Sequence, residues 1–264
     1  MENDVVSVII PFYQGSINHL SRAIQSINDQ TYKNIEISLC NDGNLQKRSE
    51  IEKVLSDVKS FSCLYSENKT NLGIAAARNK AALVSQGKWL LWLDADDTIE
   101  PDCIENLIRC SEDSKMVMGN CKVYEGENVA LRQLDEYITK CRMFFGTKDD
   151  PFITHITSLQ PEIVLRNAFE TIGGFSEDFI YAEMTEFFLR FLSEFGIKSI
   201  THTPDAIYNY YRSSKSVSLE HRQELLLYRK KALIEYSHRL DLPIIDILYQ
   251  DRGNDGMQIY KIVT

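Results

Sequence analysis

Lys88-Trp89-Leu90-Leu91-Trp92-Leu93-Asp94-Ala95-Asp96-Asp97 is the stretch on which the fold turns. Its apolar run has the length of a strand and no charge on either face, the pattern of a strand buried on both sides. Carboxylates at 94, 96 and 97 then stand at or just past its C-terminal end. In an open parallel sheet that edge is where ligands bind. Carboxylates crowded together repel one another unless a cation relieves them, which points to a divalent metal. A polar turn whose last Asp caps the next helix accounts for the same residues.

Upstream, Val5 to Ile10 is a β-branched run closed by Pro11, and Ser16 is placed to cap a helix carrying Ile17, Leu20, Ile24 and Ile27. Ile35 to Cys40 is a second strand, ending in Asn41-Asp42-Gly43-Asn44. Phe61 to Tyr65 is a third. A helix follows Asn71-Leu72-Gly73, with Ile74, Ala77, Ala81 and Val84 inward and Gly87 as its stop. Three β-α alternations ahead of the acidic stretch predict an α/β, doubly wound, Rossmann-like and mostly parallel sheet. Pro11-Phe12-Tyr13 and Asn41-Asp42 then lie together at the strand C-termini. Neither G-x-G-x-x-G nor G-x-x-x-x-G-K-[ST] occurs, so the dinucleotide and P-loop signatures are absent.

Downstream, the pattern predicts a helix from Pro101 to Cys110, a strand from Met116 to Tyr124, and a tight turn at Gly173-Gly174-Phe175. It also predicts a helix from Glu183 to Phe195, strands at Lys198–His202 and Ile207–Arg212, and a long helix from Ser218 bearing Leu226, Leu233 and Leu240. With no linker or repeat, residues 1–264 are expected to form a single domain. Its parts would be 1–100, 101–218 and a helical extension at 219–264.

The 264 residues suffice for one large core, and 44% hydrophobic with 25% charged residues is ordinary globular composition. A net charge of −9 argues against a nucleic-acid partner. The six cysteines show no metal-ligand spacing and are expected to be reduced thiols. Acids at Glu2 and Asp4 precede a strand at once and no apolar run approaches the ~20 residues of a membrane span. The expectation is a cytoplasmic protein. The last helix carries Arg222, Arg229, Lys230, Lys231 and Arg239. That surface is either a solvated face or a peripheral contact with an anionic membrane.

Several blocks, in order, resemble the family 2 glycosyltransferases, which have the GT-A fold. They are Val8 to Tyr13, Gln25 to Tyr32, Asn71 to Asn79, Leu93 to Asp97 with its D-x-D, Ile172 to Phe175, and Tyr211-Arg212 through Ser216-Val217-Ser218. The resemblance covers about residues 5–220. It implies an inverting, metal-assisted transfer of a sugar from a nucleotide diphosphosugar, usually a UDP-sugar, to an acceptor hydroxyl. The acceptor would be a glycan, a lipid-linked sugar or a protein, in bacterial-type glycoconjugate synthesis. Mn2+ or Mg2+ would offset the diphosphate charge. By the match Asp96 is the metal ligand and Asp94 the ribose-side contact, with Asp97 either behind them or a cap. Pro11, Tyr13 and Asp42 would hold the nucleobase, with Asn41 where the family has an acid. Arg78 would touch base or phosphates, and Arg212 and Lys215 the diphosphate.

The acceptor side departs from the pattern. Inverting transfer needs a carboxylate to take the acceptor proton. Glu183 matches the family Glu, but Met184 holds the position of the usual base, and a thioether cannot accept the proton. Glu183, Glu186 one turn on, or a catalytically altered protein acting as a nucleotide-sugar-binding relative remain as readings. A sugar nucleotidyltransferase is disfavoured, because the loop after the first strand lacks G-x-G-T-R.

Overall fold

Strands Val6–Phe12 (β1), Ile35–Asp42 (β2), Ser62–Asn68 (β3) and Trp89–Trp92 (β4) form the parallel half of the sheet, in the order β3-β2-β1-β4. The computed structural model describes residues 4–58, 60–132, 162–212, 220–240, 246–251 and 257–263. β1 is buried along its whole length, as its β-branched run requires, and pairs on both sides. Register runs from Val6↔Ile35 to Phe12↔Asn41 on one side and from Val6↔Trp89 to Ile9↔Trp92 on the other. The ends of β1, β2 and β4 therefore open on one edge, and Tyr13, Asn41-Asp42 and Asp94 start there.

Helices Ile17–Asn28 (α1), Arg48–Ser56 (α2) and Ile74–Val84 (α3) make the crossovers. Ser16 caps α1 as expected, its side chain accepting from the Asn18 N–H at 3.2 Å. α3 ends at Val84, and Gly87 does not take the left-handed conformation of a helix stop. Close packing demands glycine there: a Cβ would sit 2.4 Å from Ser7 Oγ. Beneath it a buried network ties the N-terminal edge together. Ser7 Oγ donates to Glu36 Oε1 at 2.6 Å, the Gly87 N–H to the same oxygen at 2.7 Å, and Arg166 Nε to the Gly87 carbonyl at 2.6 Å.

Beyond β4 the mostly parallel sheet that the sequence pattern predicts also takes in antiparallel strands. Glu162–Leu165 (β8) runs antiparallel between β4 and Met116–Glu125 (β6), which pairs in parallel with Ile200–Tyr211 (β9). Thr98–Ile99 (β5) closes the order after β9, and Asn128–Arg132 (β7) hangs on β6. The two strands expected at 198–202 and 207–212 are one, β9, with a register shift opposite Met118/Asn120.

Cys103–Arg109 (α4), Arg166–Thr171 (α5), Glu183–Phe195 (α6) and Arg222–Ser237 (α7) complete the helices described. α3, α6 and α7 cover one face of the sheet, in a cluster with Trp92, Phe187, Phe191 and Leu233. α1, α2 and α4 cover the other, around Leu20, Ile24, Ile37 and Leu107. Each such fully buried side chain contributes roughly 2 kcal/mol.

The extension expected to be helical is so only to Ser237, and Leu240 lies in a short turn after it. Asp246–Asp251 (β10) and Met257–Val263 (β11) then pair antiparallel, in a sheet of their own. The physical reason is local: Pro243 disfavours a continuing helix, and Ile247/Tyr249 and Gln258/Tyr260/Ile262 have strand rather than helix spacing.

Candidate functional site

The three acids after β4 have different surroundings. Asp97 is buried. Its Oδ2 accepts from the Tyr208 hydroxyl at 2.7 Å and its Oδ1 from the Tyr211 N–H at 2.8 Å. Burial, then the charges of Asp94 and Asp96, push its carboxyl up to about 8. It ties the acidic turn to β9. The next helix, α4, starts at Cys103 after Asp102, so Asp97 is not its cap. Asp96 reaches the surface, although protein atoms around its carboxyl and the Asp94 charge raise its pKa above the usual carboxylate value. Asp94 is half-exposed, and its N–H donates to Tyr208 Oη at 3.2 Å.

Arg78 joins these acids to the far side of the site. It leaves α3 fully buried at 1% exposure, with Nη2 donating to Asp94 Oδ1 at 2.8 Å and Nη1 to Glu183 Oε1 at 2.7 Å. Burial opposes its charge, but the two carboxylates more than offset that and hold it charged above the ordinary arginine value. Next to it Asn79 fixes the glycine turn: its Nδ2 donates to the Phe175 carbonyl at 2.9 Å and its Oδ1 accepts the Phe175 N–H at 2.8 Å. Gly174 has φ +72°, and a Cβ there would stand 2.8 Å from Asn79 Oδ1. The Arg78-Asn79 pair thus fixes both the acids and the turn that leads into α6.

The two glutamates of α6 part company. Glu183 opens towards Arg78, with a side chain 12% exposed. Glu186, one turn on, is buried, accepting from Arg190 Nε and from Tyr236 Oη, each at 2.7 Å. Arg190 also holds the Gly174 carbonyl at 2.7 Å, so Glu186 anchors α6 to the glycine turn and to α7. Met184 packs on the aromatic core. Ala182, which caps α6, adopts φ 60°, ψ 28°, a left-handed conformation unusual for a residue with a Cβ.

At the C-terminal end of β1, Pro11 is buried and Tyr13 is 38% exposed. Asp42 lies among protein donors. Its Oδ1 accepts from Asn68 Nδ2 at 2.7 Å and the Leu72 N–H at 3.0 Å, and its Oδ2 from the Gly73 N–H at 2.8 Å. It therefore shapes the loop that starts α3. Asn41 closes its own turn, with Oδ1 accepting the Asn44 N–H at 3.0 Å. Arg212, at the end of β9, faces Glu125 at 3.5 Å, and no described contact brings it to the acids. Lys215 lies outside the described residues.

Three residues escaped the sequence reading. Arg22, exposed on α1, donates to the Asp96 carbonyl at 2.6 Å and lies over the Tyr211 ring at 3.9 Å. Tyr208 clamps Asp97. Glu162, the first residue of β8, is buried on the α3/α6 face. Burial raises its carboxyl to about 8, against the pull of Arg78 and the neighbouring Trp92 indole. Only Glu162 gave a signal, as a lone acid heading an apolar strand.

Among the described residues no three acids, cysteines or histidines converge as a complete metal cage. The donor set still fits a hard cation. Asp96 is exposed, its carboxyl raised partly by Asp94. A cation bound through one or two carboxylates takes its remaining ligands from phosphate and water.

Glycosyl transferase family 2, as a sequence model, matches residues 7–173, and the chain belongs to that family. Its fold is GT-A. A glycosyltransferase, GlyA, of Streptococcus pneumoniae is 39% identical over 107 residues, 40% of this chain and 15% of that protein. The uncharacterized glycosyltransferase YibD of Escherichia coli is 24% identical over 232 residues, 83% of this chain and 64% of that one. The chain thus spans less than two thirds of either relative. Among solved structures, Staphylococcus aureus TarS 1–349 in complex with UDP-GlcNAc superposes with a TM-score of 0.65 at 18% identity, over 89% of this chain and 69% of that one. The mannosyltransferase PcManGT of Pyrobaculum calidifontis, in complex with GDP-Man and Mn2+, gives 0.63 at 15% identity, over 89% and 63%. No described helix is long and apolar enough to cross a membrane.

Proposed function

We propose that this chain transfers a hexosyl or N-acetylhexosaminyl group from a nucleotide diphosphosugar, a UDP-sugar foremost, to an acceptor hydroxyl with inversion. The observation that carries this reading is Arg78, which links the ribose-side acid Asp94 to the α6 acid Glu183 across the sheet edge. Residues 1–264 work in it as one domain, 1–100 binding the donor, 101–218 bearing the acceptor side and 219–264 packing behind. Tyr13 stacks on the base against Pro11, while Asp42 holds the loop beneath and offers its remaining acceptor position to a ring N–H. Asp94 accepts from the ribose, Arg78 keeps Asp94 in place, and the positive charges of Arg212 and Lys215 would offset that of the diphosphate. Asp96 would hold Mn2+ or Mg2+, whose charge offsets that of the leaving diphosphate.

Glu183 is the base. The acceptor oxygen attacks the anomeric carbon, its proton passes to Glu183, and the carbon–oxygen bond to the diphosphate breaks, leaving a nucleoside diphosphate and an inverted glycoside. Glu186 is spent on Arg190 and Tyr236 and is given up as an alternative base. The acceptor is a glycan, lipid-linked sugar or protein. The basic surface of the last helix is either a solvated face or a peripheral membrane contact; Lys231 of α7 lies over Phe179 at 4.5 Å and Arg239, in the turn after it, over Tyr236 at 5.5 Å.

A second reading, a catalytically altered binding relative, rests on Met184, which faces the core and cannot take a proton. Incubation with Mn2+ and a panel of UDP-, GDP- and dTDP-sugars, following binding and hydrolysis, tests both. Binding with turnover supports the transferase. Binding without turnover, even when acceptors are supplied, supports the second reading, and binding of no donor overturns both.

A further inference from the structure

Asp96 stands exposed in the acidic turn, between two acids that β9 holds in place. Before it, the Asp94 N–H donates to Tyr208 Oη at 3.2 Å. After it, Asp97 accepts from the Tyr208 hydroxyl and from the Tyr211 N–H. The Asp97 N–H closes the turn on the Asp94 carbonyl at 3.1 Å. The main chain of Asp96 itself is fastened by a different element, α1, where Arg22 Nη2 donates to its carbonyl at 2.6 Å.

Arg22 is an exposed side chain, and such a guanidinium ordinarily stays in water. Here its central carbon stands 3.9 Å from the centroid of the Tyr211 ring, well within cation–π range. That ring is fixed in its turn. It stacks on Tyr124 of β6 at 4.8 Å and 19°, and its hydroxyl lies 3.3 Å from Thr98 Oγ1 of β5. A guanidinium beside a carboxylate commonly pairs with it, and a carboxylate so paired is a poorer ligand for a second cation. Arg22 bonds the Asp96 carbonyl and covers the ring instead. The groups behind a metal ligand set its orientation, and much of the affinity of a site depends on them.

We propose that Arg22 is a positioning residue for the cation: held on Tyr211, it fixes the main chain of Asp96 so that the carboxylate is presented to Mn2+ or Mg2+ already oriented. The proposal rests on Asp96 being the metal ligand of the transfer proposed above. Charge alone predicts the reverse. A positive side chain beside a cation site repels the cation, so its removal would tighten metal binding. Loss of orientation loosens it, and the sign of the effect separates the two.

The test measures Mn2+ binding in the presence of UDP, from the electron paramagnetic resonance of free Mn2+ with the protein-free mixture subtracted. Arg22→Met should weaken Mn2+ on the order of tenfold, the lower end of what groups behind a metal ligand carry. Arg22→Lys keeps the charge without the guanidinium plane and should lie between Arg22→Met and the wild type. Tyr211→Leu should weaken Mn2+ as Arg22→Met does, and the double variant no more than either alone, because the ring acts through Arg22. Tyr211→Phe keeps the ring and should stay within about twofold of the wild type. UDP binding in EDTA, followed by calorimetry, should change by less than about twofold in every variant. Melting temperatures should move by a few degrees, since Arg22 is exposed.

Unchanged or tighter Mn2+ binding in Arg22→Met overturns the proposal, as does a Tyr211→Leu effect that adds to it in full. Should Arg22→Met melt far below the wild type, Arg22→Lys decides, and wild-type Mn2+ affinity in that variant overturns the proposal. A wild type that binds UDP but no Mn2+ removes the metal assignment and the proposal with it. A wild type that binds neither overturns the donor reading itself.

Discussion

Arg78 holds a single positive charge inside the protein between Asp94 and Glu183, and its geometry dictates what substitution does. A guanidinium spans two carboxylates with separate nitrogens, whereas an ammonium is one compact charge on a flexible stem. Arg78→Lys should keep part of the stability and lose the bridge. Arg78→Met leaves two partly buried carboxylates facing each other and should cost about 3 kcal/mol in denaturant unfolding. The glutamates of α6 separate in the same way. Glu183→Gln should abolish transfer and leave the melting temperature within a few degrees of wild type. Glu186→Gln should cost about 2 kcal/mol, through the lost charge of its bonds to Arg190 and Tyr236, while donor binding persists. If Glu186→Gln instead halts transfer in a fully folded protein, the assignment of the base to Glu183 is wrong.

At the scale of elements, the junction into α6 is where local preference and tertiary demand conflict. Ala182 is left-handed, at a position whose Cβ costs roughly 1–2 kcal/mol. Glycine removes that cost but loses more entropy on folding, so Ala182→Gly should leave stability unchanged or raise it by up to about 1 kcal/mol in urea titrations. Ala182→Val should lower it clearly. The glycine turn before it has the opposite sensitivity. Gly174→Ala meets both a positive φ and Asn79 Oδ1, so it should destabilise by more than about 1 kcal/mol and loosen donor binding by shifting the Asn79 end of α3. The periodicity of α6 was legible in the sequence, with its phenylalanines at helical spacing. Which glutamate faced the acids was not, because Glu183 and Glu186 are neighbours on one helix surface and only the packing of α7 claims one of them.

For the whole molecule, the buried acids set a pH dependence. Glu162 is raised to about 8 in the folded protein and has an ordinary carboxylate pKa when unfolded. The folded state therefore binds the extra proton between about pH 4 and pH 8, and stability falls as pH rises through that window. Below about pH 4 the contribution is fully present. Asp97 has the same sign. Thermal unfolding in EDTA should show this decline, and Glu162→Gln should flatten it. A stability curve that rises from pH 5 to pH 8 as steeply in the variant as in the wild type would contradict the burial argument.

Much of this architecture could be read before any coordinates. Alternating apolar runs and helix faces specified the parallel half of the sheet, and the acids at 94, 96 and 97 fell at its C-terminal edge, because strand periodicity and the position of a strand's end are local properties. Family membership was likewise legible in the order of short blocks. The antiparallel insertion of β8, the clamp of Tyr208 on Asp97, the use of Asp42 to hold the α3 loop and the burial of Glu162 were not. Each joins residues far apart in the chain, and hydrophobic pattern says which side chains are buried without saying against what. Sequence alone determined that carboxylates gather where strands end; the tertiary structure decided which of them share the buried Arg78, since charge pairing in an interior depends on distances that only packing sets.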